Sequence, residues 1–307
     1  MSTGLTVFTP AYNRAEKLKR AYESLKRQTE KDFVWIIVDD GSVDDTENAV
    51  KDFIREGVVD IKYFRQTNGG KMRAHNRGVG EADSELFVCL DSDDLLTDRA
   101  VERIYEVWEG IGDKSSYAGI IAYKGEMAAR TEGSDAYGLH NSNKNQLLPI
   151  YGNYFPDNKD CSFRELYRKG FKGETTLVFR TELLKKHPFP EIEGEKYVPE
   201  DVVYDRVDEG HIFRVVPEIL TLCELVEDGY TDRAEELRRQ APTGWFIYYY
   251  QRALSWPWSL IRFKFASHYL RFSSRVDKKY RREYDLPAGL KLAGIPGWLA
   301  LVLRGKL

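Results

Sequence analysis

The sequence predicts an α/β fold built around a parallel sheet. Through the first hundred residues, short apolar runs alternate with segments of helical periodicity, which indicates βαβ units. The apolar run Phe87–Leu90 is typical of a strand buried on both faces, and three carboxylates follow it at Asp91, Asp93 and Asp94. Because ligands bind at the carboxyl ends of strands in open α/β sheets, these acids stand where a site is expected.

Strands and helices follow each other in a regular order as far as Glu109. Strands are predicted over Leu5–Thr9, Phe33–Val38, Ile61–Phe64 and Leu86–Leu90. Helices are predicted over Arg14–Thr29, from a cap at Asp44 or Asp45 through Ile54, over Lys71–Glu81 and over Arg99–Glu109.

After Glu109 the pattern is less regular. Residues 130–160 are rich in Gly, Asn, Ser and Asp, and they predict a long loop. A short helix is predicted over Thr181–Lys186, and another follows Asp201. Further strands are predicted over Gly119–Tyr123, Glu174–Phe179 and Val215–Val226.

The motif Pro242-Thr243-Gly244 marks a predicted boundary between residues 1–240 and a C-terminal segment, residues 241–307. From Thr243 onward the chain has twelve Lys or Arg residues against three acids, interleaved with aromatic residues. A basic, aromatic-rich segment of this kind predicts binding to a membrane surface or to an anionic partner.

The closing stretch, Leu286–Leu307, is mostly apolar, but its helicity is expected to be limited. Residues that disfavour helix interrupt it at Gly289, Gly294, Pro296 and Gly297. The chain contains no run of 18 or more uncharged apolar residues, and its first residues enter a strand without a signal-peptide pattern. These observations predict a cytoplasmic protein that binds the inner face of the cell membrane peripherally.

Polar or glycine-rich turns follow each of the first four predicted strands. Thr9–Arg14 offers backbone donors, an aromatic ring and a cation at a helix N-terminus, which suits an anion. Asp39 or Asp40 can accept a hydrogen bond from an imide N–H, such as that of uracil. Asn68–Lys71 lets a ligand approach the backbone closely, and Arg77 in the following helix can meet phosphate.

The acids after the fourth strand complete this pattern. Asp91, Asp93 and Asp94 repel one another, and a divalent cation bound by one or two carboxylates and by substrate phosphates relieves the repulsion. The alternative is an Asx-rich turn in which Asp98 caps the next helix. Each motif alone also fits a turn or a cap, but their order and their placement after buried strands indicate a nucleotide and metal site.

The motifs TPAYNR (9–14), VDDGS (38–42), NGGKMRAHNRG (68–78) and LDSDD (90–94) closely resemble those of the family 2 glycosyltransferases, which have the GT-A fold. The resemblance is specific over residues 5–100 and looser to about residue 230. It implies a Rossmann-like, mixed, mostly parallel sheet flanked by helices. Residues 1–100 would then bind the nucleotide-sugar and residues 101–240 the acceptor, with a helical, basic-aromatic segment at the C-terminus.

The resemblance also implies an activity. The expected enzyme inverts the anomeric centre as it moves one sugar from a nucleotide-sugar, here a UDP-sugar, to a hydroxyl of a saccharide acceptor. No QxxRW-type motif of the processive synthases occurs, which implies transfer of a single sugar per visit. Together with the basic segment, the resemblance implies a lipid-linked acceptor in bacterial surface-polysaccharide synthesis.

Site residues are carried over by their position in the motifs. The nucleotide-sugar-binding residues are Thr9, Pro10, Tyr12, Arg14, Asp39, Asp40, Asn68, Gly70, Lys71, Arg77, Asp91 and Ser92. Asp91 and Asp93 are assigned to a Mn²⁺ or Mg²⁺ ion. Glu200-Asp201 matches the acid pair of the family, with Asp201 as the general base. His75 is expected at the surface or at the ligand, and Asp228–Thr231 is either a loop over the diphosphate or a turn.

Three alternatives have different signatures. A sugar nucleotidyltransferase would carry a Gly-rich, Arg/Lys-bearing signature near the N-terminus, which TPAYNR lacks. A catalytically inactive, membrane-associated scaffold with the same fold would not need the acids at Asp91, Asp93 and Asp201. Nucleic-acid binding through the basic segment is not expected, because its Trp and Tyr content and its apolar end suit lipid better, although aromatic rings also stack on bases.

Overall fold

The computed structural model describes residues 2–127, 147–223, 234–257 and 259–304. The chain divides into two compact units. The first comprises Met1–Pro188 with Arg206–Val226, and the second comprises Phe189–Asp205 with Glu227–Leu307. The predicted division between residues 240 and 241 differs from this one, because residues 189–205 belong with the C-terminal helices.

The motif at the predicted boundary is a packing point of the second unit. The Glu195 carboxylate accepts hydrogen bonds from the backbone N–H groups of Thr243 (2.8 Å) and Gly244 (3.0 Å). A Cβ atom at Gly244 would lie 2.7 Å from the carbonyl oxygen of Tyr197, so this close approach requires glycine. Residues 189–205 are therefore held against the start of the C-terminal helices.

The first unit is built around one eight-stranded sheet. The strands are β1 (Ser2–Ala11), β2 (Phe33–Asp39), β3 (Asp60–Arg65), β4 (Ser84–Cys89), β5 (Leu95–Leu96), β6 (Tyr117–Glu126), β7 (Thr175–Arg180) and β8 (Ile212–Cys223). Their order in the sheet is β3-β2-β1-β4-β7-β6-β8-β5. Strands β1 to β4 pair in parallel, as do β6 and β8, whereas β7 is antiparallel to both of its neighbours. The prediction of a mixed, mostly parallel sheet is confirmed.

Helices flank this sheet and bury both of its faces. They are α1 (Ala15–Lys26), α2 (Thr46–Glu56), α3 (Lys71–Glu81), α4 (Ala100–Glu109), α5 (Phe163–Arg168) and α6 (Thr181–Lys186). Helix α7 (Asp201–Val207) follows. On one face, the rings of Tyr22 and Phe53 stack with their centroids 4.2 Å apart and cover Trp35 of β2. Because neighbouring residues of β2 such as Trp35 and Ile36 are both fully buried, the strand is covered from both sides.

His75 lies in the core, so the prediction of a surface position is wrong, whereas contact with a ligand stays a prediction. Its ring packs edge-on against Phe8 and Phe87, with centroids 5.5 and 5.4 Å away. Burial lowers the pKa of His75 to about 3, so the ring is neutral at physiological pH. The reason is that α3 turns this face toward β1 and β4.

Gly78 allows α3 to pack this closely, and Gly78→Ala is expected to lower the free energy of unfolding by about 1–3 kcal/mol. A Cβ atom at Gly78 would lie 2.3 Å from two carbons of the Phe8 ring, which is fixed between His75 and Phe87. Gly80→Ala in the same helix is the matched control, because nothing lies within 4 Å of its Cβ position. Gly80→Ala should leave the free energy of unfolding unchanged or raise it by up to about 1 kcal/mol. Urea denaturation measures both, and equal midpoints would contradict the close packing.

The second unit contains the C-terminal helices. They are α8 (Ala234–Gln240), α9 (Pro242–Ser255), α10 (Leu260–Ser273), α11 (Lys278–Glu283) and α12 (Ala288–Leu303). Aromatic residues of this segment form the centre of the unit. Phe246 stacks on Tyr269 at 4.5 Å, and Tyr249 stacks on Phe272 at 5.7 Å. The aromatic content that predicts membrane binding thus largely serves a helical core.

Helix α12 is continuous over 16 residues, so the expected loss of helicity in this stretch is wrong. Two of its glycines, Gly294 and Gly297, serve packing instead. A Cβ atom at Gly294 would lie 2.8 Å from the carbonyl carbon of Ala266, and one at Gly297 would overlap the Ser267 hydroxyl. These glycines let α12 lie directly against α10, and that burial offsets their low helix propensity. None of the helices over the described ranges is both long and apolar enough to cross a bilayer.

Candidate functional site

The turns that follow β1 and β2 are tied together by side-chain hydrogen bonds. The backbone N–H of Asn13 donates to the Ser42 hydroxyl (2.9 Å), and that of Arg14 donates to the Thr46 hydroxyl (3.0 Å). The N–H of Ala15 donates to an Asp44 carboxylate oxygen (3.3 Å). These three N–H groups at the start of α1 therefore already have acceptors, and anion binding at this helix N-terminus stays a prediction.

Thr9 fixes the strand end rather than presenting its side chain to a ligand. Its hydroxyl donates to the carbonyl oxygen of Leu90 (2.8 Å) and accepts from the indole N–H of Trp35 (3.0 Å). Pro10 follows at the strand end and is partly buried, and the ring of Tyr12 is 47% exposed. The part of this motif that is open for stacking against a planar ligand is therefore the Tyr12 ring.

Asp39 and Asp40 are both buried, and each organises a turn. Asp39 accepts from the backbone N–H of Ser42 (2.7 Å) and from the hydroxyl of Tyr63 (2.6 Å). Burial and the Asp39 carboxylate together raise the pKa of Tyr63. Asp40 accepts from the N–H groups of Gly69 (2.8 Å) and Gly70 (2.7 Å), so it holds the glycine turn before α3. That either carboxylate meets an imide N–H stays a prediction.

The first turn of α3 and the acid-rich turn after β4 meet through one ion pair. The turn from Asn68 ends at Gly70, whose φ of 92° favours glycine, and the helix then begins at Lys71. Lys71 Nζ lies 2.8 Å from Asp91 Oδ1. Arg77 stands six residues further along the helix, about 9 Å by the helical rise, and donates to the carbonyl oxygen of Arg65. Lys71 is thus the α3 cation that adjoins the acids.

Each of the three acids in this turn has a lysine partner. Besides the Lys71 pair, Asp93 lies 3.0 Å from Lys17 of α1, and Asp94 lies 2.8 Å from Lys124 of β6. Sequence reasoning missed Lys17 and Lys124. The signal for Lys124 is a single cation in an otherwise apolar strand. Three ammonium groups therefore relieve the repulsion that had indicated a divalent cation.

The three acids of this turn differ in burial and therefore in whether a ligand can reach them. Burial acts to raise the pKa of Asp91, but Lys71 and Lys124 outweigh it and hold that pKa below its usual value. Burial raises the pKa of Asp94 although Lys124 opposes it. Asp91 and Asp93 remain about one-third exposed, at 34% and 33% of their side-chain surface, whereas Asp94 and Ser92 are buried. Asp91 and Asp93 are the carboxylates that a ligand can reach.

These two carboxylates suit a divalent cation that takes its remaining ligands from a bound substrate. In the parts of the chain that the structure describes, no three His, Cys, Asp or Glu side chains converge to hold a metal ion. Mg²⁺ and similar hard ions are, however, commonly bound by one or two carboxylates with substrate phosphates as further ligands. Asp91 and Asp93 supply oxygen donors of this kind.

The second unit contains the acid pair. Asp201 is the first residue of α7, as expected for a pair that opens a helix. Its carboxylate lies 3.1 Å from Nη2 of Arg252, whose Nε lies 2.5 Å from Asp205. Burial raises the pKa of Asp201 to about 6, with Asp205 and Glu200 adding to the rise and Arg252 opposing it.

Arg252 is a functional candidate that sequence reasoning assigned to the membrane-binding segment. The structure buries it in α9, where its guanidinium lies over the rings of Tyr248 (5.2 Å) and Trp256 (5.3 Å). The sequence feature that could have indicated a cationic partner is the spacing of Asp201 and Asp205, which are four residues apart and so share one helix face. Arg252 fixes the orientation of the Asp201 carboxylate. Residues 130–146 of the predicted loop and Asp228–Thr231 lie outside the described residues.

The sheet topology and the acid-bearing strand end define an α/β protein of the Rossmann-like GT-A type. The family model described as glycosyl transferase family 2 matches residues 6–187, which is more than half of the chain. The chain belongs to glycosyl transferase family 2.

Two characterised relatives match different lengths of the chain. The poly(ribitol-phosphate) β-N-acetylglucosaminyltransferase TarP of Staphylococcus aureus is 37% identical over 105 residues, which are 33% of this chain and 32% of TarP. The GalNAc(5)-diNAcBac-PP-undecaprenol β-1,3-glucosyltransferase of Campylobacter jejuni is 28% identical over 189 residues, 61% of this chain and 55% of that protein. The chain thus matches about a third and about half of the lengths of these relatives.

Two solved structures share the fold. TarS 1–349 of S. aureus in complex with UDP-GlcNAc has a TM-score of 0.56 at 16% identity, covering 96% of this chain and 79% of that one. The mannosyltransferase PcManGT of Pyrobaculum calidifontis, in complex with GDP-Man and Mn²⁺, has a TM-score of 0.53 at 16% identity, covering 100% and 77%. At this level of identity the similarity shows the GT-A fold.

Proposed function

We propose that the protein is an inverting glycosyltransferase that moves one sugar from a nucleotide-sugar to a hydroxyl of a saccharide acceptor. The observation that carries the proposal is the strand end of the first unit. There, the accessible carboxylates of Asp91 and Asp93 stand beside Lys71 and the glycine turn held by Asp40. A UDP-sugar donor is supported by the UDP-GlcNAc complex of TarS, which shares the fold.

The donor would be bound within residues 1–100. The exposed Tyr12 ring suits stacking on the base, and the glycine turn from Asn68 to Gly70 suits close approach of the nucleotide to the backbone. Lys71 faces Asp91 at 2.8 Å and would meet the phosphates. Residues 101–240 would contribute the acceptor side. Arg77, which contacts Arg65 and Phe64, takes a supporting role by holding β3 against α3.

A divalent cation completes the proposed donor site. Bound by Asp91 and Asp93, Mn²⁺ or Mg²⁺ supplies positive charge that stabilises the departing diphosphate. The Mn²⁺ in the PcManGT complex supports this assignment. Lys17 and Lys71 balance the same carboxylates and remain within reach to neutralise phosphate oxygens as charge develops there.

Asp201 is the proposed general base. The acceptor hydroxyl must lose its proton as its oxygen attacks the anomeric carbon, and a carboxylate with a pKa near 6 is ionised yet more basic than an ordinary aspartate. Arg252 keeps this carboxylate in one orientation. Glu200, its neighbour, adds negative charge that strengthens the base.

One relative supports a proposal for the acceptor. The name of the C. jejuni relative describes an undecaprenol-linked acceptor, which supports a lipid-linked saccharide for this chain. We place the reaction in bacterial surface-polysaccharide synthesis, at the inner face of the cell membrane.

A panel of nucleotide-sugars, scored for Mn²⁺-dependent release of nucleoside diphosphate, tests the proposal. A UDP-sugar should be turned over by the parent chain and not by Asp93→Asn. Formation of nucleoside triphosphate from pyrophosphate and the nucleotide-sugar would instead identify a nucleotidyltransferase. A folded chain that turns over no donor and binds no nucleotide would identify an inactive scaffold.

The transfer rate is expected to fall as the pH drops below about 6. The pKa of Asp201 is raised to about 6, so its basic form predominates above that pH and is lost below it. At about pH 5 only roughly a tenth of Asp201 stays ionised, and transfer should fall by a similar factor. Nucleotide binding at the same pH is the control, since it should change little. A flat rate profile from about pH 5 to 7 would exclude Asp201 as the titrating base.

A further inference from the structure

Helix α12 turns a purely aliphatic face outward. Leu292, Ile295, Leu299 and Leu303 are spaced by three or four residues and so share one side of the helix. Leu292 is 66% exposed and Leu303 is 87% exposed. The only charged residue of α12 is Lys291, which pairs with Asp285 at 2.5 Å. A globular surface rarely keeps such a stripe in contact with water.

The start of α10 adds two exposed aliphatic residues, Leu260 and Ile261. Helix α10 packs against α12, because the N–H of Leu286 donates to the Tyr269 hydroxyl and the Ser267 hydroxyl donates to the carbonyl oxygen of Gly294. The exposed aliphatic residues of the two helices, here called the aliphatic patch, are Leu260, Ile261, Leu292, Ile295, Leu299 and Leu303.

Exposed cations accompany these residues on the same helices, and among the described residues they have no acidic partner. Lys264 of α10 and Arg304, which directly follows Leu303, are two of them. Five further exposed cations lie between α10 and α12 along the chain, and they are Arg275, Lys278, Lys279, Arg281 and Arg282. None of the seven forms an ion pair with another residue in the described ranges. The second unit thus combines an apolar helix face with unbalanced positive charge.

We propose that the aliphatic patch and its flanking cations bind a bilayer that contains anionic lipids. An exposed aliphatic helix face with Lys and Arg at its margin inserts at the boundary of headgroups and acyl chains. Anionic headgroups complement the unpaired cations, whereas a second copy of this chain would bring more cations of the same sign. Most of the described aromatic residues that predicted membrane binding lie in the helical core or pack against it, so aliphatic side chains make the contact. The inference rests on α10 to α12 and is independent of the proposed sugar transfer.

Flotation of the full chain with vesicles tests this proposal. Vesicles of phosphatidylcholine with phosphatidylglycerol should carry the chain upward at low salt, and phosphatidylcholine alone should do so much less. Leu299→Gln with Leu303→Gln should weaken the binding on the order of a hundredfold, because two leucines no longer enter the apolar layer. Lys264→Gln with Arg304→Gln should weaken it by roughly 20- to 30-fold, at about fivefold for each cation.

Matched variants of the first unit control for general changes in surface character. Ile54→Gln with Val58→Gln also removes two exposed aliphatic residues, and Lys172→Gln with Lys186→Gln removes two exposed cations. Neither pair should alter flotation. If the parent chain does not float, or the Leu299/Leu303 variant floats as well as the parent, the proposal is overturned. Concentration-dependent dimerisation that this variant abolishes, without vesicle binding, would assign the patch to a second copy.

Discussion

Replacing Asp201 with asparagine is expected to slow sugar transfer by about 10²–10⁴-fold and to leave nucleotide-sugar binding nearly unchanged. Asparagine keeps the size of the side chain but cannot accept the proton of the acceptor hydroxyl. Arg252 loses one ionic partner, at 3.1 Å, and keeps Asp205. The variant should therefore remain folded. Single-turnover transfer and calorimetric titration with UDP measure the two effects separately.

The competing explanation is that Asp201 only stabilises the first turn of α7. The substitution would then cost roughly 1 kcal/mol or less of unfolding free energy and leave transfer near normal. Glu102 is a matched control, because it lies in the first turn of α4 and also has an arginine partner, with 2.9 Å to Arg99. Glu102→Gln should lose stability without losing transfer. If Asp201→Asn transfers within a few-fold of the parent, the next candidates are Glu200 and Glu174, the acid that directly precedes β7.

Replacing Asp93 with asparagine is expected to lower transfer by about 10²–10³-fold and to abolish the effect of Mn²⁺ on UDP binding. The carboxylate is partly exposed and its partner is Lys17, so loss of this ion pair should cost at most about 1 kcal/mol of stability. The variant therefore tests the role of the carboxylate in a folded chain. Titrating UDP with and without Mn²⁺ gives a readout that does not depend on turnover. Binding of uridine should change less, since the cation mainly meets phosphate.

Asp98→Asn is the control for the Asp93 variant. Asp98 lies five residues further along and pairs with Arg27 at 3.0 Å, also near the surface. It has no assigned ligand, so its loss should leave transfer and Mn²⁺-dependent UDP binding intact. Undiminished turnover of the parent chain in excess EDTA would show that Lys17, Lys71 and Lys124 suffice without a metal ion.

The strand-end site is predictable because local patterns encode it. The runs at the centre of β1, β2 and β4 are mostly apolar, so their burial in a parallel sheet follows from the sequence. The turn after each strand is short, which leaves little freedom in where Asp39 and Asp91 can stand. Parallel pairing then brings these turns to one edge of the sheet, as the register of Ala11 opposite Asp39 shows.

The partners of these acids were not predictable in the same way. Lys17 meets Asp93 across 76 residues of sequence, and Lys124 meets Asp94 across 30. Helical periodicity shows only that Lys17 lies off the core face, and its contact depends on how α1 is placed on the sheet. Composition likewise cannot tell an aromatic residue in a helical core from one at a lipid interface. Arg252 was misassigned for this reason.

The two hydrogen bonds that Asp40 accepts from Gly69 and Gly70 affect the rate and the affinity expected for donor binding. A glycine turn left to itself samples many backbone conformations, and fixing each residue costs about 1–2 kcal/mol. Here the Asp40 carboxylate accepts from the N–H groups of Gly69 (2.8 Å) and Gly70 (2.7 Å), so one conformation of the turn is already selected during folding. The turn is thus preorganised, and a nucleotide bound there as proposed would lose less affinity to ordering it. The association rate of the donor should then be limited by diffusion and orientation, and not by ordering of this turn.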